Sequence, residues 1–184
     1  MNIGIIGSGG REHSICYKLK KSKKINNLYC IPGNAGTSEI CENLEVDINN
    51  FNKLYKIILD KKIELLVVGP EEPLVNGITN FFEEKKIKVF GPSKKASKLE
   101  GSKAFMKKIC KDYSIPSAKF EEIHNFNEID SVIEKFDLPI VVKSDGLAGG
   151  KGVTICNTKQ QAIKETQDIL RGKFKSSKKV IMKN

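Results

Sequence analysis

Tryptophan is absent from this sequence of 184 residues, arginine is scarce, and the five cysteines include no CxxC pair. Without such a pair the cysteines exclude a zinc ribbon and argue against a disulfide framework, so we interpret them as reduced, small hydrophobic side chains. No apolar run approaches the roughly 20 residues that cross a bilayer. The longest candidate, Ile63–Gly69, is interrupted by Glu64.

The formal net charge is +10, yet only Arg11 and Arg171 among the 32 basic residues are arginine. Recognition of phosphates and bases favours the guanidinium group, and no recognition motif accompanies the lysines, so a basic nucleic-acid-binding protein is only our third hypothesis. We expect small-molecule substrates as partners, with no nucleic acid and no membrane. Because the N-terminus enters a strand-like run at Asn2 without a basic leader, we expect a cytoplasmic location.

Strand and helix signals alternate over the first hundred residues. The predicted strands are Ile3–Ile6, Leu28–Ile31, Leu65–Val68 and Ile87–Phe90, and the predicted helices begin at Arg11 or run through Phe51–Leu59 and Leu74–Phe82. Continuous apolar strands that alternate with helices predict a parallel sheet covered on both faces. Ligands bind beyond the carboxyl ends of such strands, which here are Gly7–Gly10, Pro32–Gly36 and Gly69–Glu71.

The pattern changes after Gly101, and we place the domain boundary there, with an α/β domain over residues 1–101 and an α+β module over residues 102–184. The predicted elements of the module are a helix from Ser102 to Tyr113, strand Ser117–Ile123, helix Phe126–Phe136, strands Pro139–Lys143 and Val153–Cys156, a helix from Thr158 to Leu170, a polar loop over Lys173–Lys179, and strand Lys179–Met182. Thr158 and Gln161 have the spacing of a capping box.

A glycine-rich loop follows the first predicted strand. Aligned on Gly7 and Gly9, the dinucleotide fingerprint requires a third glycine where Glu12 stands, and the acid expected after the second strand is also missing. The loop can still present backbone N–H groups at a helix N-terminus, which suits a phosphate, with Arg11 adding positive charge. The alternative is that these glycines serve only the tight turn.

A second glycine-rich loop, Asp145–Gly152, follows the strand that ends at Lys143. It is not a Walker A loop, because Asp145 stands where the first glycine belongs and Gly152 follows the lysine in place of Ser or Thr. A glycine hairpin between two strands predicts a lid over a polyphosphate, since a lysine at the end of an apolar strand is costly without an anion. The alternative is an ordinary turn with two surface lysines.

Six motifs occur together in the order and spacing of one enzyme family. They are Gly9–His13, Pro32–Thr37, Val67–Glu71, Gly91–Ser93, Leu99–Lys103 and Val142–Gly152. On these motifs the chain resembles the N-terminal portion of the phosphoribosylamine–glycine ligase family, in the ATP-grasp superfamily. Ser144 and Gly149 depart from the family, which usually has Ala at both positions.

The resemblance implies a Rossmann-like N-terminal domain followed by an ATP-grasp lid subdomain, and an ATP-dependent ligation of glycine to 5-phosphoribosylamine through glycyl phosphate. Residues implied in ATP binding are Lys103, Lys143, Ser144, Asp145, Gly146, Leu147, Ala148, Gly149, Gly150, Lys151, Gly152 and Val153. Residues implied in substrate binding are Gly9, Gly10, Arg11, Glu12, His13, Pro32, Gly33, Asn34, Ala35, Gly36, Gly69, Pro70 and Glu71. Gly9–Arg11 are the candidates for the sugar phosphate. We expect His13 to order its loop by hydrogen bonding and His124 to be structural.

In the family, the strand that matches Val180–Met182 leads to an acidic pair near the adenine, whereas Lys183 and Asn184 follow here. The resemblance therefore implies no metal ligands in these residues, with those of Mg²⁺ or Mn²⁺ beyond Asn184. We expect the 184 residues alone to be inactive. Two alternatives remain: another ATP-grasp carboxylate–amine ligase, such as a purine or biotin carboxylase, and a non-catalytic nucleotide- or sugar-phosphate-binding module.

Overall fold

The computed structural model describes residues 1–174 and 179–183. It divides into two compact units, Met1–Ser97 and Lys98–Asn184. Most of the predicted polar loop at Lys173–Lys179 lies outside the described residues. Within the part of the chain that is described, no helix is long and apolar enough to cross a membrane.

A five-stranded parallel sheet, in the order β3-β2-β1-β4-β5, forms the centre of the first unit. The strands are β1 (Asn2–Gly7), β2 (Asn27–Pro32), β3 (Glu42–Asn43), β4 (Leu65–Val68) and β5 (Lys88–Phe90). The parallel sheet and its four apolar strands are confirmed. The edge strand β3 is not predicted by the sequence because its two polar residues have no apolar signal.

Five helices accompany this sheet. They are α1 (Gly10–Leu19), α2 (Ala35–Ser38), α3 (Phe51–Asp60), α4 (Glu71–Asn76) and α5 (Ile78–Glu84). The prediction of one helix through Leu74–Phe82 is wrong, because Gly77 adopts a left-handed conformation (φ 101°) that ends α4. The helical spacing continues across Gly77 because Leu74, Ile78 and Phe82 are all buried in the same core cluster, and it therefore predicts one helix where there are two.

The sheet is covered on both faces, as the continuous apolar strands predict. One core cluster contains Ile5 of β1 with Cys16 and Cys30, and the other contains Ile6 of β1 with Phe82 and the buried residues of α3. Neighbouring strand residues point to opposite faces, so Ile5 and Ile6 belong to different clusters. Cys16 and Cys30 are fully buried free thiols, which agrees with their interpretation as small hydrophobic residues.

The second unit contains a four-stranded antiparallel sheet in the order β6-β9-β7-β8. Its strands are β6 (Phe120–Ile123), β7 (Ile140–Ser144), β8 (Val153–Cys156) and β9 (Val180–Lys183). The predicted antiparallel strands around the glycine hairpin are confirmed. The predicted strand Ser117–Ile123 is too long, since Ser117 and Ala118 lie before the ladder and accept hydrogen bonds from Lys107.

The helices of the second unit are α6 (Lys98–Gly101), α7 (Lys103–Asp112), a 3-10 helix (Phe126–Glu128), α8 (Ile129–Ile133) and α9 (Lys159–Leu170). The predicted helix Phe126–Phe136 is therefore too long, and its first residue is exposed whereas Phe136 is buried. Ser102 caps α7 as predicted, accepting from Phe105 N–H. Thr158 caps α9, but Gln161 bonds the N–H of Asn157 rather than that of the cap residue.

One face of the antiparallel sheet forms a core with α8 and α9. Buried residues of all four strands belong to it, among them Ile140 and Val142 of β7 and Val180 and Met182 of β9. The alternate residues of the same strands, including Lys143, face the other side of the sheet. Of the predicted ATP-binding residues on the strands, Lys143 and Val153 lie on that other face, whereas Ser144 is fully buried on the core side.

Candidate functional site

The three loops predicted to meet at the carboxyl edge of the parallel sheet are joined by hydrogen bonds. Gly33 N–H donates to Gly7 O (3.1 Å), and Gly69 N–H donates to Ile6 O (3.1 Å). The side-chain amide of Asn34 donates to Ser8 O (2.9 Å) and so ties the second loop to the first. The structure therefore brings the three loops to one edge of the sheet.

Glu12 lies at the centre of these loops with only 5% of its surface exposed. Its Oε2 accepts from Gly9 N–H at 2.7 Å. A Cβ atom at Gly69 would lie 1.9 Å from Glu12 Oε1, so the carboxylate fits only because position 69 is glycine. The carboxylate of Glu12 thus takes the N–H of Gly9, the cap residue of α1, beside the loop for which a phosphate is predicted.

Arg11 stands at the mouth of the same loops and is 62% exposed. Its Nη1 donates to Gly69 O at 2.6 Å, and its Nη2 lies 3.5 Å from Glu71 Oε1. A guanidinium group has five N–H donors. The donors that these two contacts leave can therefore reach an anionic ligand from the rim.

A cavity of about 450 Å³ opens beside these residues. Its lining combines Gly7–Glu12 with Ile48, Pro70 and Glu71. The second loop is not part of this lining, so Pro32–Gly36 braces the first loop from outside the cavity. Two carboxylates against one guanidinium suit a ligand that offers N–H and O–H donors to the interior. Ile48 was not predicted, because an apolar residue in a loop has no distinguishing signal.

The two histidines occupy different surroundings. A Cβ atom at Gly36 would lie 2.7 Å from Cε1 of His13, so the imidazole packs directly on the second loop. Its ring makes no hydrogen bond among the described residues, so His13 contacts the second loop by packing and not by the hydrogen bond that was predicted. His124 Nε2 lies 3.5 Å from a carboxylate oxygen of Glu122, in keeping with a structural role.

In the second unit, the glycine hairpin joins β7 to β8. Ser144 N–H donates to Gly152 O (2.8 Å), and Lys151 N–H donates to Ala148 O (2.9 Å) to close a turn at the tip. Gly149 and Gly150 both have positive φ, and a Cβ atom at either would meet nothing within 4 Å. The hairpin tip is therefore open on its outer side, as a lid requires.

Asp145 fixes the base of the hairpin to helix α7. Its carboxylate, in a side chain only 7% exposed, accepts from Ser102 Oγ at 3.1 and 3.2 Å and from Ala104 N–H at 3.2 Å. Lys103 adds a bond from its ammonium to Gly146 O at 2.8 Å. A carboxylate at a helix N-terminus is favoured by the free N–H groups and the helix dipole. Asp145 thus orders the lid, and its charge is turned toward the helix.

Positive charge accumulates around Lys143. Burial lowers the pKa of Lys143, and the nearby charges of Lys183, Lys103 and Lys107 lower it further. Burial also lowers the pKa of Lys103, and Asp145 only partly offsets this. In the described ranges, none of the four lysines forms a salt bridge. Such a group of ammonium ions calls for an anionic ligand.

An apolar surface lies next to these lysines. Lys143 pairs with Ile181 on one side and Val153 on the other, and Val141 pairs with Lys183 and Ile155. Directly paired residues share a face of the sheet. Ile155 is 65% exposed and Val153 is also exposed, so apolar side chains of β8 are open to a ligand. Apolar surface beside ammonium groups suits an aromatic base that is linked to a polyphosphate.

Lys107 and Lys183 belong to this group but were not among the predicted site residues. Lys107 had a usable signal, since it follows Lys103 by four residues on α7 and so lies on the same helix face. Lys183 had none, because a lysine near the end of a short strand is indistinguishable from a surface residue.

An antiparallel sheet that carries a glycine hairpin beside a group of lysines, joined in one chain to a parallel α/β unit, is typical of the ATP-grasp class. The family model described as "Phosphoribosylglycinamide synthetase, N domain" matches residues 1–100, and the model for the "ATP-grasp (A) domain" of the same enzyme matches residues 101–184. The chain belongs to the phosphoribosylglycinamide synthetase family.

Curated relatives and solved structures agree with this assignment. The phosphoribosylamine–glycine ligase of Halalkalibacterium halodurans is 42% identical over 170 residues, covering 92% of this chain and 40% of the relative. That of Clostridium acetobutylicum is 42% identical over 189 residues, covering 99% and 44%. The structure of the Thermotoga maritima enzyme superposes with a TM-score of 0.80 at 34% identity, covering all of this chain and 44% of that one.

The fold extends to more distant proteins. The biotin carboxylase domain of the Hydrogenobacter thermophilus 2-oxoglutarate carboxylase, solved with MgADP and bicarbonate, has a TM-score of 0.78 at 17% identity, covering 98% of this chain and 43% of that one. At this identity the likeness shows the fold alone. The chain spans about 40% of the length of the first curated relative that it matches.

Proposed function

We propose that this chain takes part in the ATP-dependent ligation of glycine to 5-phosphoribosylamine, which gives glycinamide ribonucleotide, ADP and phosphate in purine biosynthesis in the cytoplasm. Residues 1–101 would form the substrate domain, and residues 102–184 would begin the ATP-grasp domain. The observation that carries this proposal is the group of lysines around Lys143, which form no salt bridge with any described residue. Sequence relatives that are named as this ligase support it.

The proposed reaction has two steps. ATP transfers its γ-phosphate to the carboxylate of glycine, and the amine of phosphoribosylamine then attacks the glycyl phosphate and displaces phosphate. Lys103 and Lys143 would hold the ATP phosphates, while the Asp145–Gly152 hairpin closes over them and excludes water. Phosphoryl transfer depends mainly on positioning and charge neutralisation, which are the contributions that these residues can make.

A divalent cation, Mg²⁺ or Mn²⁺, would assist this transfer by neutralising charge on the phosphates. Within residues 1–174 and 179–183 the structure contains no group of three or more His, Cys, Asp or Glu side chains able to hold a metal ion. The residues present therefore do not fit the cation, and no step of the proposal passes through it. We propose that its ligands belong to the length of the relatives that this chain does not match.

The cavity of the first unit, lined by Gly7–Glu12, is the proposed site for phosphoribosylamine. The carboxylates of Glu12 and Glu71 line its interior and would accept hydrogen bonds from the ribose hydroxyl groups and the amine. Arg11, which is exposed at the rim, would contact the 5-phosphate with its remaining N–H donors. This arrangement would keep the phosphate away from the carboxylate of Glu12, which caps α1 through the N–H of Gly9.

Titration calorimetry of the chain tests this assignment. We expect weak binding of ribose 5-phosphate and no binding of NAD, because the dinucleotide fingerprint lacks its third glycine and its ribose-binding acid. ATP should bind independently of ribose 5-phosphate. Binding of NAD without binding of ribose 5-phosphate would overturn the assignment of this cavity to phosphoribosylamine.

A further inference from the structure

Lys107 is a buried ammonium group that forms no salt bridge with any described residue. It lies on α7 with 6% of its surface exposed, and burial lowers its pKa. Its ammonium donates to the hydroxyl group of Ser117 and to Ala118 O (3.0 Å), both of which are neutral acceptors. No carboxylate forms a salt bridge with it in the described part of the chain.

These neutral contacts explain how Lys107 is held but not why a charge stands there. Two oxygen acceptors could be satisfied by any uncharged donor, whereas an ammonium group taken from water without a counter-charge is costly. The Phe120 ring, with its centroid 5.4 Å from Nζ, offsets part of that cost. An ammonium group has three N–H donors, and the described contacts use two of them.

Lys107 shares its surroundings with the proposed nucleotide-binding lysines. Its charge helps to lower the pKa of Lys143, and the charge of Lys183 lowers the pKa of Lys107 itself. It follows Lys103 by one helical turn, so both point from the same side of α7. Phe120, beneath its ammonium, pairs with Lys183 on the sheet face where Lys143 also lies. Lys107 therefore belongs to the same group of lysines as Lys103 and Lys143.

We propose that Lys107 is a further anion-binding residue of the nucleotide site, where its charge and its third N–H donor serve the polyphosphate of ATP. This inference rests on the proposed function and extends it to a residue outside the two glycine-rich motifs. The opposing hypothesis is that Lys107 only joins α7 to the segment before β6, through Ser117 and Ala118. The two hypotheses differ in whether the charge itself matters for anionic ligands.

Three ligands distinguish a role of the Lys107 charge in anion binding from a purely structural role in the 184-residue chain. They are ATP, inorganic tripolyphosphate and adenosine. We expect Lys107→Met to weaken binding of ATP and tripolyphosphate by about 10-fold to 100-fold, the loss of one charge-assisted contact, while adenosine binding stays unchanged. Lys107→Arg should retain most of the affinity. Lys108→Met removes the same charge from the exposed neighbour of Lys107 and should change ATP affinity by less than about twofold.

A second measurement needs no variant. In the unmutated chain, NMR titration of the lysine side chains should show that tripolyphosphate raises the pKa of Lys107, because a bound anion stabilises the ammonium form. This result would support the inference even if Lys107→Met did not fold. A pKa of Lys107 that stays constant while that of Lys143 rises would overturn it.

The remaining outcomes are also decisive. A folded Lys107→Met chain that binds ATP like the unmutated chain would show that Lys107 is structural and leave the proposed function intact. If Lys107→Met lost affinity equally for ATP, tripolyphosphate and adenosine, and Lys107→Arg did not restore it, the same structural role would be indicated. If the unmutated chain bound neither ATP nor tripolyphosphate, the nucleotide site and this inference would both fail.

Discussion

A substitution at Gly69 tests directly how the loops at the carboxyl edge of the parallel sheet are held together. A Cβ atom there would lie 1.9 Å from Oε1 of Glu12 and 2.6 Å from its carboxyl carbon. The substitution Gly69→Ala must therefore displace the carboxylate, which accepts the N–H of Gly9 at 2.7 Å. The substitution should lower the stability of the first unit and change the shape of the cavity.

Two effects set its magnitude. Loss of a hydrogen bond to a charged group costs about 1.5–3 kcal/mol, and overpacking of a filled site costs about 1–3 kcal/mol. Because movement of Glu12 relieves part of the overpacking, we expect Gly69→Ala to lower the free energy of opening of the first unit by about 2–4 kcal/mol. Hydrogen exchange of the β1 amides measures this unit separately from the rest of the chain.

Two further variants make the test specific. Gly10→Ala places a Cβ atom where nothing lies within 4 Å, so its stability should be unchanged or slightly higher. In a Glu12→Ala background the obstacle is gone, and Gly69→Ala should then cost about 1 kcal/mol or less. Our explanation would be refuted if Gly69→Ala were tolerated within about 0.5 kcal/mol, or if the two substitutions were simply additive.

Four other predictions concern binding, pH and activity. Arg11→Ala should reduce ribose 5-phosphate affinity about tenfold and leave ribose binding unchanged, which calorimetry can measure. Lys143→Met should cost about 1.5–3 kcal/mol of ATP binding without altering hydrogen exchange in β1. Burial and nearby lysines lower the pKa of Lys143 below 10.5, so the unfolded chain binds that proton more tightly than the folded chain. The free energy of unfolding of the unmutated chain, measured with urea, should therefore rise from pH 8 to pH 10 relative to that of Lys143→Met. The chain alone should release no ADP with glycine and phosphoribosylamine; turnover on the order of 1–10³ per second would contradict this.

The sequence predicts the strands and the second glycine loop well, because both depend on short-range patterns. Apolar runs such as Leu65–Val68 match their strand residue for residue. The division at Gly77 was not predicted, since the buried residues on both sides keep helical spacing across it. Strand β3 was missed because its pairing depends on the neighbouring strand β2 rather than on its own residues.

The directions of charged side chains were harder to predict than their positions. Asp145 was expected to face ATP, yet its partner Ser102 lies 43 residues earlier in the sequence, a distance that no local pattern reports. Glu12 was noted as a departure from a dinucleotide fingerprint and as a substrate-binding residue, but its bond to the N–H of Gly9 was not predicted. Lys107 could have been found from its spacing to Lys103, but spacing alone does not show that an ammonium group is buried.

NMR mapping of ATP on the isotopically labelled chain tests the central claim most directly. The account predicts that ATP shifts the backbone resonances of Gly146–Gly152 and of the β8 and β9 residues on the lysine face, while Gly7–Glu12 stay unchanged until ribose 5-phosphate is added. Shifts from ATP at Gly7–Glu12, with none in the hairpin, would contradict it.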